Sequence, residues 1–296
     1  MDNTKGCGKE TVMISVKEIK TAYQSVPVLN GVTLSVQTGE IYGLIGKNGA
    51  GKTTLMKILA GLMPQNSGNI AIQNNQGNNA RVGYLPDIPP FFDHMTTEEY
   101  LDFLLFGANE SRKKELLSFS HMQGNEKISS LSRGMKQRFG IAALLTNDPE
   151  VILLDEPTSA LDPGGRADVL EMVSELKKRN KTIILSTHIL NDMEKVCDKV
   201  GFLHDGVIKR ELEISQMVDS SLEIRVKFDN PEKLRKDGLI TELVETSAVD
   251  ECLFRVNDIA GQKELFKALS ECESRIVTIR SESLSLDRVF QEVCNG

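Results

Sequence analysis

Apolar and polar positions alternate along this chain with two different periods. Short apolar runs at residues 12–19, 32–36 and 41–45 read as early strands, with 70–73 and 82–85 as two more. The Asn/Gln/Gly stretch 74–79 between the last two reads as a hairpin loop. Helical spacing follows the third run, over 52–60, and returns from 96 to about 120, opened by a capping box of Thr96 and Glu99. A helix over 134–145, an apolar strand at 151–154 and a helix over 166–179 come next. That last helix carries Val169, Val173 and Leu176 on one stripe and a Glu175–Arg179 pair outside it. A strand at 182–185, a helix over 189–197 and a hairpin turning at Asp205-Gly206 complete this part. Strands alternating with helices predict a sheet covered on its faces, hence an α/β core.

Beyond about residue 211 the pattern changes. Strand-like runs at 222–228 and 253–256 alternate with short helical patches. The final helix carries Leu286, Val289, Phe290 and Val293 at i, i+3, i+4 and i+7. The expected organisation is a disordered tail over 1–10, a main domain over 11–214, and a small α+β domain over 215–296.

With 296 residues, 40% hydrophobic and 26% charged, the chain is long enough for a large core and ordinary in composition. A net charge of −7 argues against a nucleic-acid surface. No apolar run approaches the roughly 20 residues of a membrane helix, and residues 1–10 lack a secretory pattern. Five scattered cysteines, an odd number without paired spacing, suggest free thiols in a cytosolic setting.

The chemistry begins at Gly46-Lys47-Asn48-Gly49-Ala50-Gly51-Lys52-Thr53-Thr54, which fits G-x-x-x-x-G-K-[ST] between a strand and a helix. Glycines let such a loop wrap its backbone N–H groups around phosphate oxygens at a helix N-terminus. Lys52 would reach the β- and γ-phosphates, and the Thr53 hydroxyl would coordinate Mg²⁺. The strand at 151–154 ends in Asp155 and Glu156. Asp155 is placed to hold Mg²⁺ and Glu156 to polarise an attacking water. His188, after the strand at 182–185, could bond the γ-phosphate, although a lone histidine there is more often a surface or capping residue. In Leu131-Ser132-Arg133-Gly134-Met135-Lys136-Gln137-Arg138, Ser132 and the Gly134 backbone would stand at a helix N-terminus, either as an anion site or as an ordinary cap.

In this order, the phosphate loop, the segment 131–135, the acidic strand 151–156, Ser159-Ala160-Leu161-Asp162 and His188 resemble the nucleotide-binding subunit of ABC transporters. The resemblance spans about residues 11–210. It implies a P-loop ATPase core of mixed sheet and helices, with a helical subdomain over about 87–146. It also implies that ATP and Mg²⁺ are bound, with Tyr23 stacking on adenine. Two subunits would pair head to tail, Ser132 and Gly134 of one capping the γ-phosphate in the other. Asp162 of the D-loop would link the two sites, with Glu156 as base and His188 as switch. The partners implied are an integral-membrane permease and a second ATPase subunit, identical or sister, with the protein peripheral on the cytoplasmic face of the membrane.

Two departures stand out. The usual signature Leu-Ser-Gly-Gly-Gln reads Leu-Ser-Arg-Gly-Met, and Asp87 stands where the family has its Q-loop glutamine. Gly83-Tyr84-Leu85-Pro86-Asp87 together with this signature resembles the bacterial drug-, antibiotic- and sodium-exporter branch, as does the ending 283–290. The competing readings are a soluble ABC-type ATPase and a weakly catalytic regulatory subunit.

Overall fold

The computed structural model describes residues 12–107, 109–219, 222–229, 243–248, 251–256, 259–271, 276–282 and 286–295. The chain divides into two units, Met1–Leu212 and Glu213–Gly296. The first opens with β1 (Val12–Tyr23) and β2 (Val26–Gln37), an antiparallel pair, followed by β3 (Ile41–Ile45) and α1 (Lys52–Leu59). β4 (Ser67–Ile72) returns to β1, giving a three-stranded antiparallel sheet in the order β2-β1-β4.

The second sheet holds β5 (Val82–Leu85), β6 (Val151–Asp155), β7 (Thr182–Thr187), β8 (Lys199–His204) and β9 (Val207–Glu213) around β3. Its order is β5-β6-β7-β3-β8-β9, with β5, β6, β7, β3 and β8 parallel. Every residue of β3, β6 and β7 is buried. Strands covered on both faces read as continuous apolar runs, which is what their sequences display. One core cluster joins Ile14, Val16 and Val36 of the first sheet to Leu44, Leu153 and Ile184 of the second, through Leu55 and Met56 of α1. Parallel strands open their carboxyl ends on one edge, and the register pairs Ile45 with Thr187 and Asp155 with Ser186. Three chemically marked loops therefore emerge side by side.

α2 (Thr97–Leu104), α3 (Glu110–Phe119) and α4 (Arg133–Leu144) lie between β5 and β6 in sequence. Thr96 and Glu99 form the expected capping box. Lys113 is buried among three carboxylates, Glu98 at 2.9 Å, Asp102 at 2.9 Å and Glu110 at 2.8 Å. Hydrogen bonds to them push its ammonium pKa up. Phe91, Tyr100 and Phe139 pack ring to ring with centroids 5.2–5.8 Å apart. α5 (Pro163–Lys178) and α6 (Leu190–Val196) complete the unit, with Val169, Val173 and Leu176 buried as the stripe predicts.

Local differences from the sequence expectations have physical reasons. The stretch 74–79 does close a tight turn, through a Gln73–Asn79 bridge. Its flanking strands do not pair as a hairpin, because β4 joins β1 and β5 joins β6. The helical stretch 96–120 is two helices, broken where Phe106 and Gly107 take positive φ.

In the second unit α7 (Ile214–Asp219) precedes β10 (Leu222–Phe228), β11 (Leu243–Ala248) and β12 (Glu251–Val256). α8 (Ile259–Glu271), β13 (Ile276–Glu282) and α9 (Leu286–Asn295) follow. Its antiparallel sheet has the order β11-β12-β10-β13. β11 and β13 were not among the expected strands; both are rich in polar residues, which blurs alternation. α9 buries Leu286 and Val289. Residues 1–10 and 283–285 lie outside the described residues.

Candidate nucleotide site

The loop between β3 and α1 requires its glycines. Gly51, the N-cap of α1, has φ +105°, and a Cβ there would stand 2.7 Å from Leu29 Cδ2. Any larger residue meets both backbone strain and a buried leucine. The N–H groups that start α1 have no partner within the helix. Lys52 is 6% exposed, and its Nζ donates to the Gly46 carbonyl at 2.7 Å. The same ammonium lies 3.2 Å from Glu156 Oε1.

Glu156 is gripped from several sides. Its other oxygen, Oε2, stands 2.8 Å from His188 Nδ1. Its backbone N–H donates to both the carbonyl and the Oγ of Ser186, at 3.1 and 3.0 Å. Its φ is +51°, a region costly for a non-glycine residue and found where surrounding contacts hold a functional side chain. Asp155, 2% exposed, accepts from Ser186 Oγ at 2.6 Å and from the Tyr84 hydroxyl at 3.4 Å. Burial first, then the Asp155 carboxylate, push the Tyr84 phenol up.

Asn48, Gly49, Gly51, Lys52, Thr53, Thr54, Asp87, Glu156 and His188 line one cleft of about 350 Å³, together with Val28 and Ser159. Gly46 is buried behind its carbonyl, and Ala50 sits half-buried in the same loop. Tyr23 is not among the lining residues; it is 47% exposed, and its hydroxyl donates to Met63 Sδ at 3.0 Å. The aliphatic Val28 of β2 lines the cleft wall.

Ser132, Gly134 and Asp162 stand outside this cleft at two helix starts. Ser132 is the N-cap of α4, accepting from Met135 N at 3.2 Å. Asp162 caps α5, accepting from Gly165 N at 3.3 Å. A Cβ on Gly134 would meet nothing closer than 3.8 Å, so no neighbour in this chain requires glycine there. Sequence reasoning assigned no role to Ser186, Tyr84 or Gln137. Ser186 acquires its role from β6–β7 register alone, and Gln137 is a fully buried amide on α4 donating to the Asp87 carbonyl at 2.6 Å.

The fold and loop together define a phosphate-loop α/β nucleotide-binding protein whose cleft carries a carboxylate held between a lysine and a histidine. The ABC transporter family profile matches residues 29–159. An uncharacterised ABC transporter ATP-binding protein of Bacillus subtilis, YxlF, is 34% identical over 96% of this chain and 100% of its own length. The lantibiotic transport ATP-binding protein SrtF of Streptococcus pyogenes is 32% identical over 73% of this chain and 99% of its own. Among solved structures, a dimeric ATP-binding cassette in a post-hydrolysis state with ADP and Pi is 25% identical, with TM-score 0.61, over 68% of this chain and 99% of that one. The chain belongs to the ABC transporter ATP-binding protein family.

Proposed function

We propose that this protein hydrolyses ATP to power export through a separate membrane permease. The observation that carries the chemistry is the Glu156 carboxylate, set between Lys52 Nζ at 3.2 Å and His188 Nδ1 at 2.8 Å in the phosphate-loop cleft. Lys52 and the loop N–H groups bind and orient the β- and γ-phosphates. Thr53 and Asp155 are the residues that would hold Mg²⁺, which when bound supplies charge neutralisation at the phosphate oxygens. The residues fit that ion: one hydroxyl at the loop end, and one carboxylate already fixed by Ser186 and Tyr84. Glu156 takes the proton of the water that attacks the γ-phosphorus, and His188 orients that carboxylate. ADP and phosphate leave, with no covalent enzyme intermediate.

The head-to-tail pairing is supported by Gly134, which has room for a Cβ within its own chain. A glycine unneeded inside the subunit suits the approach of a phosphate from another one. Export of an antibiotic-like compound is supported by the likeness to SrtF, whose name describes lantibiotic transport. The permease is a separate chain in this reading, since no helix among the described residues is long and apolar enough to cross a membrane. The protein then works as a homodimer or with a sister ATPase, at the cytoplasmic face.

The test uses tagged Glu156→Gln protein with ATP. Its turnover should fall at least about 100-fold, while ATP still binds and drives dimer formation on gel filtration. Pull-down from detergent-solubilised membranes should recover a polytopic membrane protein. Recovery of only ribosomal, DNA-associated or other soluble partners would sink the transport reading.

A further inference from the structure

The two departures from the family pattern meet in space. Arg133, in place of the signature's first glycine, and Asp87, in place of the Q-loop glutamine, lie 46 positions apart in the chain. Arg133 Nη2 donates to Asp87 Oδ1 at 2.5 Å, and its Nε donates to the Ser159 carbonyl at 3.0 Å. One turn on along α4, Gln137 donates to the Asp87 carbonyl at 2.6 Å, and Lys136 reaches Asp93 at 3.2 Å. Positions 133, 136 and 137 share a helix face. That face grips the segment leaving β5, by both the carboxylate and the carbonyl of Asp87.

Asp87 and Ser159 line the nucleotide cleft. If that cleft takes a triphosphate, an unpaired carboxylate on its wall would oppose ligand binding by like-charge repulsion. Arg133 supplies the opposite charge from a planar fork that a lysine does not reproduce.

Resting on the ATP-site reading above, we propose that Arg133 is a positioning residue for the nucleotide cleft of its own subunit. It neutralises Asp87 and holds that carboxylate and the Ser159 carbonyl at one place on the cleft wall. The two departures are then a compensating pair, and each makes sense only with the other. A structural consequence follows: Ser132, beside Arg133, is tethered to the cleft of its own chain through α4.

The test is a double-mutant cycle on full-length protein: Arg133→Gln, Asp87→Asn and both together, read by MgATP affinity, KM and kcat at low and high salt. Both side chains are 40% or more exposed, and exposed pairs add little to stability, so matching thermal melts serve as the folding control. Arg133→Gln alone should weaken MgATP binding about fivefold or more at low salt, and less at high salt, where exposed charges are screened. Adding Asp87→Asn should bring affinity back to within about twofold of the parent. A loss that Asp87→Asn leaves in place, at either salt, overturns the pairing and assigns Arg133 to another partner. If the parent protein itself neither binds nor hydrolyses ATP, the ATP-site reading fails with it. Normal parent activity with an additive cycle removes the pair alone.

Discussion

The Oγ–H of Ser186 donates to Asp155 Oδ1 at 2.6 Å, and that Oγ accepts the backbone N–H of Glu156 at 3.0 Å. One buried side chain on β7 therefore fixes both acids at the end of β6. The orientation of a carboxylate meant for a metal depends on such outer partners. Replacing Ser186 with alanine should raise the Mg²⁺ concentration for half-maximal turnover and lower kcat about 10- to 100-fold. An unchanged Mg²⁺ titration would show that Asp155 is held well enough by Tyr84 and register alone.

Lys52→Ala should weaken ATP binding roughly tenfold or more, the loss expected for a charge-assisted bond to phosphate. The Glu156 carboxylate also loses the ammonium 3.2 Å away. Calorimetric titration with MgATP measures the affinity, and a normal value would undermine the phosphate-loop assignment.

Gly201 on β8 touches the buried ring of Tyr42 on β3. A Cβ at 201 would lie 1.9 Å from the Tyr42 hydroxyl oxygen, which donates to Glu211 at 2.8 Å. Gly201→Ala should therefore destabilise the protein by about 1–3 kcal/mol. Removing the hydroxyl with Tyr42→Phe in the same chain should recover part of the loss. Equal melting temperatures for parent and Gly201→Ala would refute the contact.

Acid should loosen the corner where β6 begins. A hydrogen bond from Lys181 holds the Asp148 carboxyl below its ordinary value, and the Arg81 backbone N–H does the same for Glu150. A folded pKa below the unfolded one means stability that is fully present above the unfolded value, about 4. It is lost as pH falls through the lower, folded value. Denaturant midpoints should therefore drop below about pH 4. Asp148→Asn should show a shallower acid slope than the parent, and an identical slope would clear Asp148 of any part in it.

Much of this molecule was legible before folding. The runs at 41–45, 82–85 and 222–228 match β3, β5 and β10 to the residue. A buried parallel strand advertises itself by unbroken apolarity, and a phosphate loop by glycines at fixed spacing. The Thr96–Glu99 box was readable for a similar reason, since its hydrogen bonds span three residues. Polar strands such as β11 and β13 carried no such local mark. The pairing around 74–79 was misread because partner choice among strands is settled by the sheets, beyond the reach of a turn.

The motif residues Gly51, Lys52, Glu156 and His188, which the structure brings to one cleft, and Asp155 beside Glu156 were legible as candidates in the sequence. Their chemistry is tied to residue type and to short spacing along the chain. The assignments that depend on distance in space came from the tertiary structure. It gave Ser186 its place between Asp155 and Glu156, and brought Arg133 onto Asp87. Such contacts arise from strand register and from the packing of α4 on the segment after β5. Neither leaves a periodic trace in the sequence, because each joins single residues tens of positions apart.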